Sequence, residues 1–77
     1  MARPKAMQDH GGRRYVQRPD GVQVRAYAPG DGRLSFVAAY QGNAAGCANP
    51  TEAECKAACP DGWQVYADGP YWRAKPA

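Results

Sequence analysis

Apolar and polar residues alternate along several stretches of this chain, and one stretch follows a longer period. Val22, Val24 and Ala26 alternate with Gln23, Arg25 and Tyr27. Leu34, Phe36, Ala38 and Tyr40 alternate with Ser35, Val37 and Ala39. A period of two is that of a half-buried strand, and Pro29-Gly30-Asp31-Gly32 between the two runs predicts a hairpin. Tyr15 to Arg18 gives a short strand before the Pro19-Asp20-Gly21 turn, where Pro fixes φ and Gly accepts a positive one. Further on, Trp63, Val65 and Ala67 alternate with Gln64 and Tyr66. Asp68-Gly69-Pro70 turns that strand into a last one over Tyr71 to Ala74.

The longer period lies between Asn49 and Cys59. Cys55, Ala58 and Cys59 recur at i, i+3 and i+4, which is one helical face, with Ala57 off it. Two helix starts are open: Asn49 as cap with Pro50 and Glu52 after it, or Thr51 as cap with Glu54 three residues on. Glu52 and Glu54 suit the positive end of the helix dipole, and Pro60 stops the helix. A helix of about ten residues does not stand alone in water, so it must pack on the sheet. The expected architecture is α+β: a small antiparallel sheet of four to five strands with one short helix on one face, in the order β-β-β-α-β-β. Residues 1–12 show neither period and read as a flexible basic arm, and residues 13–75 as a single domain.

Composition sharpens this picture. A chain of 77 residues builds one domain, and a domain this small buries only roughly 60% of its unfolded surface. Leu and Phe occur once each and Ile not at all, so the bulky apolar side chains are mainly Trp63, Trp72, Phe36 and the five tyrosines. No apolar run is long enough to span a membrane, and no export signal is legible, so a cytoplasmic protein is expected. The net charge is +3, unevenly spread. Residues 1–25 hold six cations against two aspartates, while residues 26–72 hold two cations against five acids.

Candidate chemistry is sparse. Cys47, Cys55 and Cys59 with His10 offer a zinc donor set, but seven and then three residues between the cysteines fit no zinc pattern, so buried, reduced thiols and no cofactor are expected. A catalytic cysteine needs a nearby base, and His10, the sole histidine, lies in the arm. No glycine-rich phosphate loop is present, and an enzyme is not expected.

The aromatic excess points instead to a partner. Tyr27 lies opposite Val24 and Ala26 and beside Arg25, while Tyr66 lies opposite Val65, so a sheet face left bare by the helix carries Tyr and Arg. Interface centres are enriched in those residue types. The expected function is a small non-enzymatic binding protein that docks on a protein and modulates or inhibits it, through Arg25, Tyr27 and Tyr66 with Arg14 and Arg18. The alternative is a nucleic-acid-binding module in which the basic arm follows phosphates and the sheet tyrosines stack on bases. In size and general build the chain resembles the short single-domain proteins that phages and mobile elements encode to bind and inhibit host machinery.

Overall fold

A computed structural model describes residues 3–77. Met1 and Ala2, the start of the expected arm, lie outside the described residues. Six strands and one helix follow one another: β1 (Ala6–Gln8), β2 (Arg14–Gln17), β3 (Gln23–Tyr27), β4 (Leu34–Ala39), α1 (Glu52–Ala58), β5 (Trp63–Asp68) and β6 (Tyr71–Pro76). The strands form one antiparallel sheet in the order β1-β2-β3-β4-β6-β5. The α+β architecture is the one the periodicity predicts, with one strand added.

The added strand is β1, inside the segment expected to be an unstructured arm. It pairs Ala6 with Val16 and Gln8 with Arg14. All three of its residues are exposed, so alternation had no buried face to mark. Its turn is built by Asp9, whose Oδ1 accepts the backbone N–H groups of Gly11 at 2.9 Å and Arg13 at 3.0 Å. Arg25 Nη1 donates to the other oxygen at 2.9 Å, which fastens the turn to β3.

Of the two helix starts, the structure takes the second. Thr51 is the cap: its hydroxyl accepts the Glu54 N–H at 3.2 Å, and Glu54 Oε1 accepts the Thr51 N–H at 3.0 Å. Asn49 and Pro50 precede the helix and line its approach. Cys59 is already extended, and Pro60 follows it. The buried face holds Cys55, Ala58 and Cys59 as expected, together with Glu54. Ala57 is a correction: it is half-buried and packs against the core rather than pointing away. The helix lies across β2 and β3, and the area it covers is wider than a three-residue stripe.

Val16, Val22, Val24, Ala38 and Ala58 make the core, with Phe36, Cys47 and Ala57 against its edge. Val24 and Cys55 are the largest side chains fully out of solvent. Small helix residues let α1 sit close to the sheet, and the bulkier sheet residues fill the space between. Tryptophans 63 and 72 are only half-buried. They border the core and do not form it.

Directly opposed residues of an antiparallel ladder share a face. The row Val16–Val24–Ala38 faces the helix, and Leu34–Ala74–Val65 lies on the same side. The opposite side, left open, carries the rows Met7–Tyr15 and Arg25–Val37 and, across four strands, Tyr27–Ser35–Arg73–Tyr66. The sheet is not equally knit. β4 and β6 share only the pairs Leu34–Ala74 and Ser35–Arg73, after which the strands diverge.

Candidate functional site

Strand alternation places Arg25, Tyr27 and Tyr66 on the open face, as the sequence predicts. Tyr27 is 49% exposed at the end of β3. Beside it, Arg25 lies over the Tyr15 ring at 4.4 Å and is tied to Gln23 as well as Asp9. The Arg13 N–H and the Arg25 guanidinium hold the Asp9 carboxyl below the usual carboxylate range. Arg25 therefore enters any contact already oriented and largely charge-compensated.

Arg73 has the same build on the other side of Tyr27. Its Nε donates to Ser35 Oγ at 3.1 Å and its Nη2 to Asp31 Oδ2 at 2.7 Å, with Asp68 3.9 Å from Nη1. Asp31 is fixed in turn by accepting the Arg33 N–H at 3.0 Å, and Arg73 lowers its pKa. Tyr66, next in the row, accepts a hydrogen bond from Arg33 Nη1 at 2.9 Å. Arg33 and Lys75 stand over its ring at 5.5 and 5.3 Å from the centroid.

Arg14 and Arg18 do not join this group. Arg14 donates from Nη1 to the Cys59 carbonyl at 3.0 Å and pairs with Asp61 at 2.8 Å, at the C-terminal end of the helix. Arg18 grips Glu54 with two bonds, of 2.7 and 2.8 Å, and donates to the carbonyls of Ala48 and Asn49. Its side chain is 17% exposed. Both arginines fasten the helix and its approach to the sheet. The same grip by Arg18 pulls the Glu54 pKa down to about 2 against the opposing effect of burial.

Beside Tyr27, where β4 and β6 part, lies a cleft of about 310 Å³ walled by Phe36, Tyr71, Trp72 and Pro50. Tyr71 is 61% exposed at its rim.

Two of the three thiols are buried. Cys47, Cys55 and Cys59 are all free. Burial pushes the Cys55 thiol up to about 12 and raises that of Cys59. Among the described residues no group of three or more His, Cys, Asp and Glu is gathered to hold a metal ion.

Sequence reasoning missed Tyr15, Arg33, Arg73 and Lys75. For Arg73 and Lys75 a signal existed, because they alternate with Trp72 and Ala74 and so share the face of Tyr66's row. Arg33 and Asp31 had none, since a turn residue's reach across strands is set by the fold.

Fold and site define a one-helix, antiparallel α+β domain with an uncovered, tyrosine- and arginine-bearing sheet face. No known protein family, curated protein or solved structure matches the chain. No helix among the described residues is long and apolar enough to cross a membrane.

Proposed function

We propose that this chain is a non-enzymatic docking protein that modulates or inhibits a protein partner by occupying it with the open sheet face. Tyr27 is the centre of the contact, with Arg25 on one side and Arg73 and Tyr66 on the other. The observation that carries the reading is the pair of arginines flanking an exposed tyrosine, each already held by an aspartate from a turn. Rigid Tyr and Arg side chains lose little conformational freedom on binding, which is why they dominate interface energetics. Three free cysteines fit a reducing, cytoplasmic compartment.

The competing nucleic-acid reading is weaker where it draws on Arg14 and Arg18, each paired with a carboxylate, while Arg3, Lys5 and Arg13 of its basic arm carry no such pair among the described residues. Immobilised wild-type chain and a Tyr27→Ala variant, exposed to cell lysate with and without nuclease, test the proposal. A protein retained after nuclease and weakened in the variant by about 2 kcal/mol is the expected result. Material released by nuclease would point to nucleic acid, and an unchanged affinity for Tyr27→Ala would place the contact elsewhere.

A further inference from the structure

The open face is not uniformly neutral. Over β3 to β6 its cations are Arg25, Arg33, Arg73 and Lys75, and the aspartates that reach them are Asp9, Asp31 and Asp68. All three aspartates are engaged by Arg25 and Arg73: Asp9 at 2.9 Å, Asp31 at 2.7 Å and Asp68 at 3.9 Å. Among the described residues, Arg33 and Lys75 have no carboxylate within 4.0 Å. Over β3 to β6, the positive charge of the face that lacks a counter-charge is therefore concentrated around Tyr66.

That place is also shaped. Arg33 comes from the turn before β4, Lys75 from β6 and Tyr66 from β5, so three separate segments converge. The phenolic oxygen fixes the Arg33 guanidinium at 2.9 Å, and both cations lie against the ring. A cation held on an aromatic face keeps its charge while giving up part of its hydration, so a second, anionic contact costs less desolvation than it would for a free side chain.

We infer that the Tyr66–Arg33–Lys75 cluster is the acidic-segment subsite of the docking face, receiving Asp or Glu side chains of the partner protein. The inference rests on the protein-docking reading and names the chemistry of the partner. The guanidinium offers a planar pair of donors to one carboxylate and the ammonium a point charge to a second. An extended acidic stretch, with side chains alternating along it, supplies such a pair.

A nucleic-acid strand fits less well. A phosphate backbone carries a charge at every nucleotide and, continuing from Tyr66 along the row, runs onto Asp31 and Asp68, whereas an acidic segment needs only two carboxylates at the cluster itself. The Tyr66 ring, with two cations against it, is also a poor platform for a stacked base.

The test uses a labelled oligoglutamate peptide and an oligothymidine of matching length, titrated into the full chain while amide and side-chain NMR signals are followed. The expected result is that oligoglutamate moves the signals of Tyr66, Arg33 and Lys75 and binds more weakly as salt rises to physiological strength. The double variant Arg33→Glu with Lys75→Glu should lower that affinity by about tenfold or more at unchanged thermal stability. If that variant unfolds, Arg33→Gln with Lys75→Gln carries the same prediction. Absence of oligoglutamate binding at low salt, affinity indifferent to both substitutions, or tighter binding of oligothymidine overturns the inference. The docking reading is judged separately: a lysate protein lost with Tyr27→Ala but retained by the Arg33/Lys75 variants sinks only the acidic-segment subsite.

Discussion

Glu54 shows most clearly how much one residue carries here. Its carboxylate closes the capping box, accepts two bonds from Arg18 and sits 10% exposed against the sheet. Removing one partner of a buried pair leaves the other charge stranded, which costs more than the pair itself contributes. Glu54→Gln keeps an acceptor at the capping position but discards the charge, and it should destabilise the domain by about 3 kcal/mol in urea unfolding. The effect has a pH signature. The carboxyl titrates near 4.5 when unpaired and at about 2 in the fold, so its stabilisation is complete above the first value. It is lost as pH falls through the second. The melting-temperature gap between wild type and Glu54→Gln should be constant near neutrality and close as pH approaches 2; a gap unchanged in acid would refute the assignment.

At the level of the element, α1 is too short to hold itself, and its position comes from contacts rather than propensity. Ala58 is 1% exposed against β2 and β3, whereas Ala53 is exposed one turn earlier. Ala58→Asp places a charge in that contact and should cost about 3 kcal/mol or unfold the domain. Ala53→Asp adds a negative charge in the first turn, where the dipole welcomes it, and should be neutral within about 0.5 kcal/mol. Equal thermal midpoints for the two variants would show that the buried face is misassigned. Ala57 is the wrong control, because it touches the core.

Within the one sheet, β1 to β4 and β5 with β6 meet at a two-pair seam, and α1 touches strands on both sides of it. Arg73 crosses that seam, bonding Ser35 and Asp31 from β6. Arg73→Ala should therefore loosen the join before it unfolds the domain. Amide hydrogen exchange is expected to rise at residues 34–35 and 73–74 while protection in β2 and β3, under the helix, stays near wild type. Uniformly faster exchange would mean that the seam is no weaker than the rest of the sheet. The cleft beside Tyr27 lies where the two strands of this seam part.

The alternation at 22–27, 34–40 and 63–67 and the i, i+3, i+4 spacing of Cys55, Ala58 and Cys59 determined most of the fold class by themselves. Local period sets which side chains are buried, and burial is the main driving term. The same alternation put Arg25, Tyr27 and Tyr66 on the face away from Val24 and Val65. Strand β1 was illegible because an exposed edge strand buries nothing that a pattern records. The choice of Thr51 over Asn49 was a near tie in sequence, decided by Arg18 holding Glu54 in place across the helix–sheet contact. The roles of Arg14, Arg18, Arg33 and Arg73 depended on hydrogen-bond partners between 30 and 47 residues away in the chain, with Glu54 and Asp61 among them. A charged side chain's partner is fixed by proximity in space, and only the folded sheet supplies it.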